Sequence, residues 1–149
     1  MSELPVIFTD LDGTLLDHDT YSAEEARSVL EKVTAKNIPV IPATSKTYDE
    51  VVEFRDSMNL AHAFIVENGA ALYVPMDTDI RCPMGSKLFE GYWVREFGVK
   101  RQALCDVLEA LDMNGTYQFK SLTDMRTSEV ADVTGLDLAS AQRAQHRLY

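Results

Sequence analysis

The stretch Phe8-Thr9-Asp10-Leu11-Asp12-Gly13-Thr14-Leu15-Leu16-Asp17 decides the fold. It overlaps the apolar run Val6-Ile7-Phe8, which predicts a strand buried on both faces of a parallel sheet. Asp10 falls at the carboxyl end of that strand, and Asp12 follows two residues later. Two carboxylates at this spacing can divide their roles, one ionised beside a metal and the other exchanging a proton.

Composition limits the classes of partner. The chain has 149 residues, 46% of them hydrophobic, and a net charge of −10. This acidity argues against nucleic acid or an anionic membrane as partner, since both require a basic face. No apolar stretch reaches the roughly 18–20 residues of a membrane span. The acidic N-terminus does not resemble a signal peptide, and Cys82 and Cys105 fit free thiols better than a disulfide framework. We therefore expect a cytoplasmic protein.

The first half alternates between strand and helix patterns. Ser22 with Glu25, and Thr47 with Glu50, have the spacing of capping boxes, so each pair predicts the start of a helix. Strands connected by such helices form right-handed crossovers, which predicts an α/β fold with a Rossmann-like parallel sheet. The apolar runs that predict strands are residues 6–8, 40–41, 63–66 and 71–74.

The second half has a different character. A polar, turn-rich stretch follows Pro75, and we expect a boundary near residues 75–85 that divides the chain into two unequal pieces. The later pattern predicts an amphipathic helix, a short strand, a helix capped by Thr127 and ended by Gly135, and a last helix opened by Asp137. Their positions are residues 104–111, 117–119, 127–135 and 138–149.

Ligands of an open parallel sheet bind at the carboxyl ends of its strands. The loops 10–14, 44–46 and 67–69 should therefore converge. An aspartate nucleophile there would form an aspartyl-phosphate, while Thr44 and Lys46 would supply a hydroxyl and a positive charge to the phosphoryl oxygens. Mg²⁺ suits such a site because it binds oxygen ligands together with phosphates.

The motifs also resemble a known family. Asp10-Leu11-Asp12-Gly13-Thr14 resembles the first motif of the haloacid-dehalogenase-like (HAD) phosphatases. The runs Ile38-Pro39-Val40-Ile41-Pro42-Ala43-Thr44-Ser45-Lys46-Thr47 and Phe64-Ile65-Val66-Glu67-Asn68-Gly69-Ala70-Ala71 are similar to the mannosyl-3-phosphoglycerate phosphatase branch. The segment 124–136, which includes Thr134-Gly135-Leu136, resembles the cap domain of that branch. The resemblance therefore implies a family core at 1–80 and a partial α+β cap domain at 81–149.

The resemblance implies a Mg²⁺-dependent hydrolase of small phosphorylated sugars or glycerates. Asp10 would be the nucleophile and a metal ligand, and Asp12 the general acid/base that also gives its backbone carbonyl to the metal. Thr44 would orient the phosphoryl group. Ser45, Lys46 and Asn68 would lie in loops that face the phosphate and substrate.

The chain departs from the family pattern in its second half. The lysine and the final acidic pair that such enzymes carry after the cap have no counterpart here, so the resemblance covers about half of a family member and ends within the cap. A catalytically incomplete binding or interaction module is therefore an alternative, and a phospho-accepting receiver-like switch is a third. The sheet would also keep an open apolar edge, through which the chain could self-associate.

Overall fold

The computed structural model describes residues 5–17, 19–112 and 119–149, excluding the side chain of Asp112. Within these ranges, helices and strands alternate as the sequence predicts, and the α/β class is confirmed. In chain order the elements are β1 (Ile7–Thr9), α1 (Glu24–Thr34), β2 (Val40–Pro42), α2 (Tyr48–Met58), β3 (Phe64–Val66), β4 (Ala71–Pro75), β5 (Lys87–Phe89), β6 (Tyr92–Glu96), α3 (Arg101–Asp112), α4 (Thr127–Thr134) and α5 (Leu138–Gln145).

The strands form two sheets that meet at β2 and β3. β1 pairs in parallel with β2, with Ile7 opposite Val40, and the crossover between them is α1. β3 continues this arrangement through one parallel bridge between Ala43 and Ile65. It otherwise belongs to an antiparallel sheet of strand order β3-β4-β6-β5. The pairing of β4 with β6 extends across residue 80, and the domain boundary expected there stays a prediction.

The prediction that the first strand is buried on both faces is wrong. Val6, Ile7 and Phe8 are 48%, 38% and 63% exposed. The reason is that β1 pairs only with β2 among the described strands, so its second edge and much of its surface lack cover. The open apolar edge is therefore present, while self-association through it stays a prediction.

Helix α2 packs on the sheet through apolar side chains that recur at helical spacing. Val51 is fully buried and Met58 nearly so. Beneath the helix lies an aromatic cluster in which the rings of Phe64 and Tyr73 stack with centroids 5.0 Å apart. The Arg55 guanidinium sits 4.5 Å from the centroid of the Phe64 ring. This core fixes the direction of α2, and with it the position of the loop before its first residue.

The two predicted capping boxes have different outcomes. The box at Thr47 and Glu50 is confirmed, because each side chain bonds the backbone of the other residue. The box at Ser22 and Glu25 is wrong. Helix α1 begins at Glu24, and the Ser22 hydroxyl instead accepts the Glu24 N–H at 3.2 Å. The local tendency of serine to bond a nearby backbone amide is retained, but its register differs from that of a box.

The helices of the second half lie near their predicted positions. Gly135 ends α4 in the left-handed conformation that glycine favours, and Asp137 caps α5 by accepting the Ser140 N–H. Thr127 is the first residue of α4 rather than its cap, and α5 ends at Gln145. The predicted strand at 117–119 lies largely outside the described residues. None of the described helices combines the length and apolarity that crossing a bilayer demands.

Candidate active site

Asp10 lies immediately beyond β1, where its side chain is exposed. Its Oδ1 atom accepts the Leu11 N–H at 2.7 Å, which orients the carboxylate. The backbone then turns tightly, with Thr14 N–H donating to Leu11 O at 3.1 Å and Gly13 at a φ of +67°. Within the described residues, Oδ2 of Asp10 has no hydrogen-bond partner, so it is the oxygen available to a ligand.

Asp12 and Lys46 connect two of the predicted loops. Lys46 Nζ lies 2.9 Å from Asp12 Oδ1. The same ammonium lies 5.5 Å from the centre of the Tyr21 ring, and the lysine side chain is only 18% exposed. A partly buried cation beside Asp12 suits the binding of an anionic phosphoryl group.

Thr44 follows β2 in the same way that Asp10 follows β1. Ala43 N–H donates to Thr9 O at 2.8 Å, which holds these two strand ends together. Thr44 is 4% exposed, and its hydroxyl oxygen accepts the Lys46 N–H at 3.3 Å. The hydroxyl proton therefore stays available for donation to a ligand.

The third predicted loop joins the other two through its backbone. Asn68 N–H donates to Thr44 O, and Glu67 N–H donates to Lys46 O, each at 3.0 Å. Asn68 has a left-handed φ of 59° and an exposed side chain. Ser45 is also exposed. The structure therefore brings together the loops that contain all the predicted residues.

Glu67 and Arg147 also contact the loops of this site. The sequence placed Glu67 in a converging loop without assigning it a role, and it did not identify Arg147. Glu67 is 5% exposed, and its carboxylate oxygens accept the N–H groups of Leu148 and Tyr149 at 2.9 and 3.0 Å. Arg147 donates to Ser45 O at 2.8 Å. These pairs are 81, 82 and 102 residues apart in sequence, so no local pattern connects them.

A cavity of about 440 Å³ adjoins Lys46. It lies between the loop before α1, helix α2 and the turn before α5, and its lining includes Tyr21, Glu50, Phe54 and Leu136. Its size is within the range of roughly 300–1,000 Å³ that is usual for small-molecule sites. A ligand whose phosphoryl group lay beside Lys46 would have room for the rest of its structure here.

A cluster of polar side chains around Glu96 holds Tyr149 beside this site. The O–H of Tyr149 and the ammonium of Lys100 donate to Glu96, as does Lys87 at 2.8 Å. Burial raises the pKa of the Glu96 carboxyl, but the bonds from Lys100, Lys87 and Tyr149 outweigh it and lower that pKa to about 2. Burial and the bond to Glu96 raise the pKa of Tyr149. Burial also raises the pKa of Tyr73 to about 12.

The residues present fit a magnesium ion only in part. In the portions of the chain that the structure describes, no three His, Cys, Asp or Glu residues cluster as a metal site. Asp10 has a free carboxylate oxygen, whereas one oxygen of Asp12 is already paired with Lys46. Mg²⁺ usually takes one or two protein carboxylates, with water and substrate phosphate as its other ligands. The donor set is thus sufficient for that mode of binding and insufficient for a cage of protein ligands.

Comparison with known families and proteins gives consistent results. The family description of haloacid dehalogenase-like hydrolases matches residues 7–82. A glucosyl-3-phosphoglycerate/mannosyl-3-phosphoglycerate phosphatase of Methanococcoides burtonii is 39% identical over 144 residues, which are 97% of this chain and 53% of that protein. A mannosyl-3-phosphoglycerate phosphatase of Pyrococcus furiosus is 33% identical over 97% of this chain and 57% of its own length. The chain spans about half the length of these relatives.

Solved structures support the fold. A haloalkanoate-superfamily phosphatase of Bacteroides thetaiotaomicron superposes with a TM-score of 0.57 at 18% identity, covering 89% of this chain and 47% of that one. A haloacid dehalogenase-like hydrolase of Bacillus subtilis gives 0.51 at 19% identity, covering 95% and 50%. At these identities the similarity concerns architecture alone.

Proposed function

Because the chain belongs to the haloacid dehalogenase-like hydrolase family, we propose that it carries the phosphoryl-transfer site of a Mg²⁺-dependent phosphomonoesterase. The proposed substrate class is a glycosylated 3-phosphoglycerate, which is the substrate in the names of the two relatives. The observation that carries the proposal is the convergence of the Asp10–Asp12 loop with the Thr44–Lys46 loop, through the 2.9 Å contact between Lys46 and Asp12.

Asp10 is the proposed nucleophile. Its Oδ1 is held by the Leu11 N–H, so Oδ2 is the atom that would attack phosphorus. The bond from Oδ2 to phosphorus forms while the bond from phosphorus to the alcohol oxygen breaks, which leaves an aspartyl-phosphate and an alkoxide. The oxygen of a water molecule then attacks the same phosphorus while the bond from Oδ2 to phosphorus breaks, which releases inorganic phosphate and restores the Asp10 carboxylate. Two transfers replace one difficult hydrolysis.

Asp12 is the proposed acid/base. It would give a proton to the departing alkoxide and later take one from the attacking water. Its carboxylate is paired with Lys46 in this structure. A phosphoryl group would compete for this ammonium, so Lys46 would turn toward the phosphoryl oxygens and release Asp12 for proton transfer. The buried Thr44 hydroxyl would donate to another of these oxygens, and the exposed Ser45 and Asn68 would border the substrate.

Magnesium would be held by the Asp10 carboxylate and the Asp12 backbone carbonyl. When bound, it would neutralise charge on the phosphoryl oxygens. The rest of the substrate would lie in the cavity beside Lys46, where aromatic and carboxylate side chains can contact a sugar.

The test compares Asp10→Asn with a charge-matched control, Asp19→Asn, on the loop that follows. Hydrolysis of mannosyl-3-phosphoglycerate, glucosyl-3-phosphoglycerate and an aryl phosphate is measured with and without Mg²⁺. Removing the nucleophile should lower kcat by about 10³-fold or more, while Asp19→Asn should leave it unchanged. Mass spectrometry of acid-quenched wild-type protein should detect phosphate on Asp10.

Equal activity in Asp10→Asn and wild type would contradict the proposed nucleophile. A wild-type chain that binds phosphate with Mg²⁺ but turns over none of the three substrates would favour the binding-module hypothesis. A phospho-Asp10 that persists for hours would favour the receiver-like switch.

A further inference from the structure

Each of the three backbone carbonyls of the Thr44-Ser45-Lys46 loop accepts a hydrogen bond from a residue outside the loop. Thr44 O and Lys46 O accept the N–H groups of Asn68 and Glu67, both at 3.0 Å. Ser45 O accepts from the Arg147 guanidinium at 2.8 Å. Two of the three donors follow β3, and the third comes from the end of the chain. The loop that carries the proposed phosphate ligands therefore has a backbone position set from two sides.

Glu67 connects the segment after β3 with residues 147–149. Its side chain is 1% exposed, and its two carboxylate oxygens accept the backbone N–H groups of Leu148 and Tyr149. The Arg147 guanidinium lies 3.9 Å from the same carboxylate. A buried carboxylate is stable only when its charge is compensated, and here two amides and one cation compensate it. We call the set of Glu67, Arg147 and the backbone amides of Leu148 and Tyr149 the Glu67 clasp.

The backbone at the centre of this clasp is unusual. Glu67 and Asn68 have φ values of 50° and 59°, in the left-handed region that residues with a side chain seldom adopt. Such a conformation is strained and persists only where surrounding contacts impose it. The contacts that impose it are the bonds to Thr44 O and Lys46 O and the clasp itself. Left-handed backbone at this point is what directs both N–H groups toward the loop.

We propose that the Glu67 clasp is a positioning device for phosphate recognition: Glu67 and Arg147 fix the Thr44–Lys46 loop so that its hydroxyl and ammonium face a phosphoryl group. This inference rests on the proposed function, since it concerns the same loop. Glu67 and Arg147 are positioning residues, because they act through the backbone of the loop. The clasp also makes phosphate affinity depend on residues 147–149, which are remote in sequence.

Simple electrostatics and positioning predict opposite results for one substitution. Glu67→Gln removes a negative charge from a residue whose backbone N–H donates to Lys46 O. Charge alone would therefore make an anion bind more tightly. The clasp predicts the reverse. Leu148 N–H and Tyr149 N–H donate to different carboxylate oxygens, and in glutamine an NH2 group replaces one of these acceptors. One of the two N–H groups would then face another donor, and the loop would lose its fixed position. The sign of the change in affinity separates the two explanations.

The experiment measures inorganic phosphate binding in the presence of Mg²⁺, by titration calorimetry on the full 149-residue chain. Glu67→Gln and Arg147→Met should each weaken binding about tenfold, since the first removes an acceptor of the Leu148 and Tyr149 N–H groups and the second removes the donor to Ser45 O. The charge-matched controls are Glu25→Gln, exposed on α1, and Arg126→Met, exposed before α4. Both controls should bind phosphate within about twofold of wild type. Tighter binding in Glu67→Gln would overturn the proposal, as would equal losses in Arg147→Met and Arg126→Met.

Hydrogen exchange separates failure of this inference from failure of the proposed function. Amide exchange at Asn68 and Leu148 should be faster in folded Glu67→Gln than in wild type, under conditions where thermal unfolding shows that both are native. A wild-type chain that binds no phosphate would contradict the proposed function. Exchange then decides the clasp alone: unchanged rates at Asn68 and Leu148 would overturn it, and faster rates would support it. Arg147→Lys should restore part of the affinity lost in Arg147→Met, because lysine can still donate to Ser45 O.

Discussion

Residues 5–96 and residues 101–149 differ in what holds them in place. The first region has a continuous apolar core in which Phe64, Val51 and Leu11 are fully buried. Among the described residues of the second region, only Val130 and Ala141 are buried apolar side chains. The apolar face of α3 is 38–58% exposed at Leu104, Val107, Leu108 and Leu111.

Polar contacts attach the second region to the first. Arg143 pairs with Glu53 at 2.9 Å and His146 with Asp49 at 2.6 Å, both on α2. The Thr47 hydroxyl also bonds Arg143 O at 3.2 Å. Hydrogen bonds and ion pairs of this kind determine where the second region lies, but they add little to the free energy of unfolding because water competes for each partner. The difference indicates that apolar packing supplies the stability of the first region, and hydrogen bonding the placement of the second.

The largest expected effect tests that contrast with similar truncations in the two regions. Phe64→Ala removes a fully buried ring that stacks on Tyr73, and should lower the free energy of unfolding by about 3–5 kcal/mol. Leu108→Ala on α3 should lower it by under about 1 kcal/mol, because the side chain is 38% exposed. Urea denaturation followed by circular dichroism measures both. Equal losses would refute the contrast.

A pH-dependent prediction concerns Glu96, which accepts from Tyr149 of the second region and from Lys100 of the segment between the two regions. Its pKa is about 2 in the folded chain against 4.5 unperturbed, so its contribution is fully present above pH 4.5 and is lost as the pH falls toward about 2. Glu96→Gln should cost about 2 kcal/mol at neutral pH. The difference in the free energy of unfolding between wild type and Glu96→Gln should decrease when unfolding is measured at successively lower pH. A difference that is constant across this range would show that Glu96 contributes through packing instead.

Helix caps offer a smaller and more local comparison. Thr47 is fully buried and bonds both Glu50 and Arg143, so Thr47→Ala should cost about 1–2 kcal/mol. Asp137→Ala removes an exposed cap that accepts the Ser140 N–H, and should cost about 1 kcal/mol or less. Thermal unfolding of the two variants checks the order. The reverse order would mean that α5 contributes more to stability than its exposure suggests.

The smallest expected effect concerns the ion pair of Arg143 and Glu53, whose side chains are 30% and 61% exposed. A double-mutant cycle with Arg143→Met and Glu53→Gln should give a coupling of about 0.5 kcal/mol, reduced at high salt because exposed charges are screened. A coupling above about 2 kcal/mol would place much of the docking energy in this pair.

Local sequence was sufficient for several features of the fold and site. Thr47 and Glu50 form their capping box, Gly135 ends α4, and Asp137 caps α5, because each depends on backbone groups within a few residues. The placement of Asp10 and Thr44 at neighbouring strand ends also followed from sequence, since a strand-helix-strand unit has one favoured hand. The family motif around Asp10 supplied the expected chemistry.

Tertiary structure decided what depends on distant partners. Phe8 is exposed although it belongs to an apolar run in the sequence. Its burial depends on how many strands pair with β1, which the sequence run alone does not determine. The local sequence around Glu67 is typical of a turn. Its carboxylate, however, accepts hydrogen bonds from backbone N–H groups 81 and 82 residues further along the chain. A sequence pattern reports on interactions over a few residues of chain. Contacts that close so long a loop are selected by the packing of the whole molecule, and only the folded chain shows them.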